Sequence, residues 1–148
     1  MKIGIIGGTG GMGEGFALRW CVNHDIILGS RDKQKAQVAA ENHINNMNNN
    51  GFSEKIAGSI KGDDNLSVAK ESEILILSIP YENIESTCKD IENMIKDECI
   101  VVSPIVPMSR NQDGFYYIPF IDGKKSAGAL VAENLPKCNK VISHYIVI

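Results

Sequence analysis

The 148-residue sequence has few aromatic side chains, three histidines and no excess of positive charge. Its net charge of −3 gives no basic surplus, which argues against a nucleic acid as the partner. No apolar run approaches the length of a membrane span. The first run, Ile3 to Ile6, is too short for a signal peptide and leads directly into glycines. We therefore expect a cytoplasmic protein that interacts with neither nucleic acid nor membrane.

Cysteine is also scarce, and its pattern is not that of a metal site. The four cysteines form no Cys-x-x-Cys pair, and no histidine lies at ligand spacing from them. The sequence therefore predicts no metal site. Cys21, Cys88 and Cys99 fall in apolar segments, which favours buried reduced thiols and a reducing cytosol.

Apolar runs typical of buried strands alternate with segments of helical periodicity. Strands are predicted at 2–6, 25–29, 55–59, 73–79, 99–102 and 140–148, and helices at 11–23, 33–46, 65–71, 81–96 and 126–135. The polar run 45–50 is expected to be a loop, and residues 104–125 an irregular segment. This alternation indicates an α/β fold with a doubly wound, mostly parallel sheet and helices on both faces. We expect residues 1–148 to form a single domain.

A glycine loop follows the first predicted strand, with the spacing Gly8-x-Gly10-x-x-Gly13. In a strand–helix–strand unit this spacing is typical of dinucleotide binding. Gly8 would allow a tight turn, Gly10 would leave room for a pyrophosphate, and Gly13 would let the helix approach the sheet. The alternative is a glycine-rich turn that binds no ligand.

The end of the second strand favours NADP over NAD. NAD-binding domains carry an acidic residue here, whereas this sequence has Gly29-Ser30-Arg31. A hydroxyl and a guanidinium suit a 2′-phosphate, and Lys35 follows one helical turn after Arg31. Asp32 is expected to turn its carboxylate toward its own helix as an N-cap. The alternative is a solvated helix start with no role in binding.

Four stretches together resemble the NADPH-dependent coenzyme F420 reductases: GGTGGMGEGFALRW, GSRDKQKA, LSIPYEN and above all VVSPIVPMSR. The resemblance extends to about Lys140. It implies a Rossmann-type domain followed by a smaller C-terminal part. It also implies NADP(H) as the cofactor and coenzyme F420, a deazaflavin, as the redox partner.

The resemblance also implies roles for individual residues. Contacts to the pyrophosphate, in addition to the turn at Gly8, are expected from Thr9, Gly10, Gly11 and Met12. The 2′-phosphate would be bound by Ser30, Arg31 and Lys35. The nicotinamide riboside would be flanked by Ile79, Pro80 and Val106, with Ser78 as a hydrogen-bond donor to the cofactor or to its own loop.

The implied reaction is hydride transfer between the nicotinamide C4 and the deazaflavin C5. The cofactors supply the chemistry, so no catalytic acid or base is required, and none is predicted. His24 and His43 are expected to be solvated. His144 is expected to pack on the last strand.

The resemblance ends near the C-terminus. Family members continue with a His-Thr-x-Pro-like element and the C-terminal part, whereas here His144 is followed by Tyr-Ile-Val-Ile. We expect this chain to lack that part, either because it is a piece of a longer protein or because the natural protein is a shortened relative. Its apolar last strand favours coverage by a second chain, as in a homodimer. Two alternatives are a nucleotide-binding or sensor-like module without turnover, and an NADPH-dependent reductase with a flavin or ferric acceptor.

Overall fold

The computed structural model describes residues 1–49, 57–118, 126–138 and 140–143. Its strands are β1 (Lys2–Ile6), β2 (Asp25–Ser30), β3 (Ser59–Asp64), β4 (Ile74–Leu77), β5 (Ile100–Ser103), β6 (Met108–Asn111), β7 (Gly114–Tyr117) and β8 (Val141–Ser143). Its helices are α1 (Gly11–Trp20), α2 (Lys33–Asn49), α3 (Asn65–Glu71), α4 (Ile84–Ile91) and α5 (Ala127–Asn134). Short 3₁₀ turns flank α4 on both sides.

Six strands form one parallel sheet in the order β3-β2-β1-β4-β5-β8. The chain moves outward from β1 to β3 and then returns to the other side of β1 at β4. The carboxyl ends of β1 and β4 therefore flank the point where the strand order reverses, and open α/β sheets bind ligands at this position. The predicted Rossmann-type doubly wound fold is confirmed.

Each face of the sheet has its own apolar cluster. Side chains of Ile3 and Ile5 join α1 and α2 on one face, whereas Ile6 joins α3, α4 and α5 on the other. This division follows from the two-residue repeat of a strand, which sends successive side chains to opposite faces. Helices on both faces, as predicted, explain why the central strands are almost continuously apolar.

The polar run 45–50 is mostly helical, so the predicted loop there was wrong for its described part. Helix α2 continues to Asn49 because Met47 lies on its buried face, with 7% exposure, and its sulfur lies 3.5 Å from the Cys21 sulfur. The packing of this single apolar side chain thus stabilises the helix through a stretch of asparagines, whose intrinsic helix propensity is low.

The third strand begins at Ser59, so the predicted strand at 55–59 was misplaced, and residues 50–56 lie outside the described part of the chain. It pairs with β2 from Ser59↔Asp25 to Asp64↔Ser30. Because β3 lies at the edge of the sheet, Ile60 is its only buried residue. An edge strand with one buried side chain gives little hydrophobic pattern, which explains the error.

The segment predicted to be irregular contains a β-hairpin, formed by β6 and β7. Two prolines precede it, but Gln112 and Asp113 form its turn, and Gly114, with φ of +126°, begins β7. Residues 119–125 lie outside the described part of the chain, as do residues 144–148 of the predicted last strand. Within the described ranges, no helix is both long and apolar enough to cross a membrane.

Candidate functional site

The loop between β1 and α1 turns at Gly7, where φ is +78°. L-residues rarely adopt this conformation, and a β-carbon here would also collide with the carbonyl oxygen of Ser78. The N–H groups of Gly7 and Gly8 both lie 3.2 Å from the carbonyl oxygen of Gly29 and donate to it. The turn expected at Gly8 is therefore made by Gly7, and it joins the loop to the ends of β2 and β4.

The start of α1 is open on the side away from the sheet. A β-carbon on Gly10 would meet only one backbone oxygen, at 3.6 Å, and one on Gly11 would meet nothing within 4 Å. Glu14 donates the first helical hydrogen bond, to Gly10 at 2.9 Å, so the N–H groups of residues 11–13 precede the helical ladder. Such groups are suited to an anion. A β-carbon on Gly13 would lie 2.6 Å from the Gly8 Cα, so the expected close approach of α1 is confirmed.

At the end of β2, Asp32 caps its own helix as predicted. Its carboxylate accepts the N–H groups of Gln34 at 3.0 Å and Lys35 at 3.3 Å. The hydroxyl of Ser30 accepts the Asp32 N–H at 3.2 Å. Arg31 and Lys35 are exposed, and neither forms an ion pair with a described residue. The carboxylate of Asp32, which follows Arg31 in the chain, therefore points toward the helix backbone.

Among the described residues, two clefts open at the carboxyl ends of the strands. The first, which we name the β2 cleft, has a volume of about 410 Å³. It is lined by Ile6, Gly7, Thr9, Gly10, Gly29, Ser30, Arg31, Asn65, Ser78, Ile79, Pro80, Asn83, Ser86, Thr87 and Asp90.

The second, which we name the hairpin cleft, has a volume of about 660 Å³ and a mainly apolar lining. It is lined by Gly10, Gly11, Met12, Leu77, Ser78, Ile79, Pro80, Tyr81, Glu82, Pro104, Ile105, Val106, Met108, Ser109, Arg110 and Phe115. Both clefts share Gly10 and the segment 78–80, so they meet at the point where the strand order reverses.

The structure brings most of the predicted site residues to these two clefts. Thr9, Ser30 and Arg31 line the β2 cleft, and Gly11, Met12 and Val106 line the hairpin cleft. The four remaining lining residues, Gly10, Ser78, Ile79 and Pro80, belong to both. Two predicted residues line neither cleft. Gly8 lies beneath the loop, where a β-carbon would meet the Ile5 carbonyl oxygen at 2.8 Å, and Lys35 lies one turn into α2.

Sequence reasoning missed several lining residues. Asn65 follows β3 directly, and its buried Oδ1 atom has no hydrogen-bond partner among the described residues. The misplaced third strand concealed it, since residues after a parallel strand are the ones that reach this edge. Arg110 and Phe115 were missed because the hairpin was not predicted. The Asp113-Gly114 pair, where the turn meets β7, was the available signal in the sequence.

The histidines do not line either cleft within the described part of the chain. The expectation that His43 is solvated was wrong. It is 6% exposed because it follows Ala36 and Ala40 on the buried face of α2, and its Nδ1 lies 3.4 Å from a carboxylate oxygen of Glu14. Among the described residues, no three His, Cys, Asp or Glu side chains are grouped as a metal site would require.

Comparison with known proteins relates this site to a group of reductases. Residues 2–107 match the family model described as NADP oxidoreductase coenzyme F420-dependent. The F420-dependent NADP reductase of Methanocaldococcus jannaschii is 44% identical over 109 residues, covering 74% of this chain and 47% of that protein. The enzyme of the same name from Methanothermobacter marburgensis is 32% identical, covering 87% of this chain and 56% of that protein.

A solved structure gives the same comparison for the fold. A putative F420-dependent NADP reductase from an Arthrobacter species superimposes with a TM-score of 0.70 at 17% identity, covering 97% of this chain and 61% of that one. The chain thus spans about half the length of the curated relatives it matches. The family model covers the glycine loop, the Ser30-Arg31 pair and the segments that line both clefts up to Pro107. The chain belongs to the coenzyme F420-dependent NADP oxidoreductase family.

Proposed function

We propose that this chain binds NADP(H) across the two clefts and transfers a hydride between its nicotinamide and coenzyme F420. The observation that carries the proposal is the meeting of the clefts at Gly10 and 78–80. The β2 cleft carries a hydroxyl and a guanidinium, and the hairpin cleft is largely apolar. A dinucleotide has this same division between a phosphate-bearing adenosine half and a flat nicotinamide half.

The residues of the β2 cleft fit the adenosine half of NADP. Ser30 and Arg31 offer donors to a 2′-phosphate, and a guanidinium matches the geometry of phosphate oxygens. The carboxylate of Asp32 is occupied by its own helix, so it does not oppose that phosphate directly. The unpartnered Oδ1 of Asn65 provides an acceptor for a sugar hydroxyl or an amino group.

The glycine loop fits the pyrophosphate. Side chains are absent at Gly10 and Gly11, and the free N–H groups at the start of α1 lie beside that space. In the hairpin cleft, Ile79, Pro80 and Val106 offer flat apolar surface for the nicotinamide. When bound, the two coenzymes supply the hydride chemistry, and the protein contributes orientation and exclusion of water.

The same proposal covers the wider organisation of the protein. We infer that residues 1–148 act as one nucleotide-binding domain, because both clefts are built on a single sheet. The free, buried thiols favour a reducing compartment such as the cytoplasm. A homodimer would cover the exposed Ile142 on the terminal strand β8, which is 51% exposed.

One experiment tests the reaction. The protein is mixed with NADPH and oxidised coenzyme F420, and the absorbance of both is followed. We expect equimolar loss of the two. Tight NADPH binding with no oxidation by any acceptor would instead favour a binding module without turnover. Oxidation by flavin or ferric complexes, but not by coenzyme F420, would favour a reductase with another acceptor.

A further inference from the structure

One face of the hairpin is directed into the hairpin cleft. The antiparallel register pairs Arg110 with Phe115 and Met108 with Tyr117, so these four side chains share one face. Three of them, Met108, Arg110 and Phe115, line the cleft, and from the opposite face Ser109 also reaches it. The adjacent Tyr116 lies on the opposite face and does not line it.

This face combines apolar surface with a cation. The guanidinium carbon of Arg110 lies 5.4 Å from the centroid of the Phe115 ring, within the range of a cation–π contact. Phe115 is 71% exposed, so most of its ring is accessible to a ligand. Arg110 is the only cation among the described residues that line the cleft, and it forms no ion pair with a described residue.

The position of this pair separates it from the expected site of the NADP 2′-phosphate, whereas the expected pyrophosphate contacts Gly10, Gly11 and Met12 line the same cleft as the pair. Neither Arg110 nor Phe115 lines the β2 cleft, where Ser30 and Arg31 lie. The pair instead shares the hairpin cleft with Ile79, Pro80 and Val106, the expected nicotinamide contacts. A hydride acceptor that stacks on the nicotinamide would therefore reach the hairpin face.

We propose that Phe115 and Arg110 determine which hydride acceptor the protein recognises. Phe115 covers the planar ring of the deazaflavin, and Arg110 binds an anionic group on its phosphate- and carboxylate-bearing side chain. This inference rests on the proposed function. It follows from the chemistry of the face, because an aromatic ring favours a flat partner and a guanidinium favours phosphate or carboxylate.

The test measures binding rather than turnover. Oxidised coenzyme F420, or the same deazaflavin without its phosphate-bearing tail, is titrated into protein saturated with NADP⁺, and the ligand fluorescence anisotropy is recorded. Arg110→Ala should raise the Kd of coenzyme F420 by about tenfold or more and leave that of the tailless ring unchanged. Phe115→Ala should weaken both ligands by about tenfold, since a stacked ring contributes to each.

Matched controls use similar side chains elsewhere. Arg19→Ala removes an exposed arginine from the last turn of α1, and Tyr116→Ala removes an aromatic ring from the other hairpin face. Neither should change the affinity for either deazaflavin. The Kd of NADP⁺ is measured for every variant and should remain that of the unaltered protein.

The outcomes separate this inference from the proposed function. Failure of the unaltered protein to bind NADP⁺ would remove the proposed function itself. Absence of coenzyme F420 binding by the unaltered protein would overturn the proposed hydride acceptor. Normal binding of both coenzymes, with equal coenzyme F420 affinities for Arg110→Ala and the unaltered protein, would overturn only the hairpin assignment. If Arg110→Ala raised the Kd of coenzyme F420 and that of the tailless deazaflavin equally, Arg110 would not recognise the anionic tail. Loss of a dimer in Phe115→Ala, seen by light scattering, would assign this face to an interface instead.

Discussion

Two neighbouring cations at the start of α2 have different surroundings. Lys33 forms an ion pair with Asp63 at 2.7 Å, and this hydrogen bond, reinforced by the same negative charge, raises the lysine pKa. Arg31 lines the β2 cleft and has no such partner among the described residues. The two positions therefore provide a matched pair for testing which charge recognises the nucleotide.

Arg31→Ala should lower the affinity for NADP(H) by about 10- to 100-fold, which is the usual effect of losing hydrogen bonds to a charged group. The affinity for NAD(H) should change much less, because NAD lacks the 2′-phosphate. Isothermal titration with both nucleotides measures the difference. Lys33→Ala is the control and should leave the NADP-to-NAD ratio unchanged. Equal losses for the two nucleotides in Arg31→Ala would contradict the assignment of NADP.

Two glycines of the loop should respond differently to alanine. Gly7→Ala should reduce the free energy of unfolding by at least about 1–2 kcal/mol, because of the left-handed backbone and the collision with the Ser78 carbonyl. Gly10→Ala should preserve stability, since its β-carbon makes only an ordinary contact at 3.6 Å. It should nevertheless weaken NADP(H) because the new methyl group occupies the proposed pyrophosphate space.

Urea unfolding and NADPH titration on both variants measure these effects. A stable Gly7→Ala protein would show that the loop can relax around the β-carbon. Unchanged NADPH affinity in a folded Gly10→Ala protein would place the pyrophosphate elsewhere.

At the scale of elements, the cap of α3 positions one wall of the β2 cleft. The carboxylate of Asp64 accepts the Ser67 N–H at 2.9 Å and the Ser67 hydroxyl at 2.8 Å. These two bonds, the first from the backbone, lower the pKa of Asp64 below its ordinary value of 3.8. Asn65, which lines the cleft, is the first residue of the helix that this cap begins.

Asp64→Ala should reduce the free energy of unfolding by about 1 kcal/mol at pH 7, as for other N-cap losses. Because the folded-state pKa is the lower one, the charged cap stabilises the fold above the unfolded pKa and loses this effect as pH falls through the folded value. Urea unfolding at pH 7 and near pH 3 should therefore show that the difference in unfolding free energy between the unaltered protein and Asp64→Ala becomes smaller in acid. Because neither variant titrates at this position, the difference in unfolding free energy between Asp64→Asn, an equally good neutral cap, and Asp64→Ala should be the same at both pH values. If the stability difference between the unaltered protein and Asp64→Ala did not change with pH, the charge of Asp64 would not contribute to the cap.

Across the described chain, burial determines how reactive each of the four thiols is. The expectation of buried thiols at Cys21, Cys88 and Cys99 is confirmed, whereas Cys138 is partly exposed. Loss of solvation raises the pKa of Cys88 to about 12 and that of Cys99 to about 11, and it also raises that of Cys21. Only the thiolate reacts, so these three cysteines should be inert in the folded protein near neutral pH.

A disulfide reagent that releases a coloured thiolate tests this at pH 8. One equivalent should react quickly with the native protein, and all four should react in denaturant. Cys138→Ser should abolish the fast phase. Two or more fast equivalents would mean that the core opens far more readily than its packing indicates.

The sheet and its helices were predictable where burial imposes a regular pattern. Strands such as β1 and β4 are buried on both faces, so the sequence there is a continuous apolar run. Prediction failed where tertiary contacts overrode local preference, as at Met47, or where an edge strand such as β3 carries little apolar pattern. The hairpin was missed because prolines and glycines in the surrounding segment obscured two strands of four residues each.

Candidate site residues were predictable where a short sequence motif marks them, as in the glycine loop and the Ser30-Arg31 pair after the second strand. Asn65 and Arg110 carry no such signature. Their positions depend on where β3 ends and on how the hairpin folds over the clefts, and both are properties of the assembled chain. Assigning the acceptor side therefore required the three-dimensional structure.

The hairpin is attached to the domain by closely spaced ends. The Ile118 N–H donates to the Pro107 carbonyl oxygen at 2.8 Å, directly beside the Met108–Tyr117 pair. A segment whose ends already meet can be exchanged for another of different length without altering the sheet that supports it. Acceptor preference could thus diverge, in evolution or by grafting, through replacement of residues 108–117 alone, while the nucleotide side of the domain is retained.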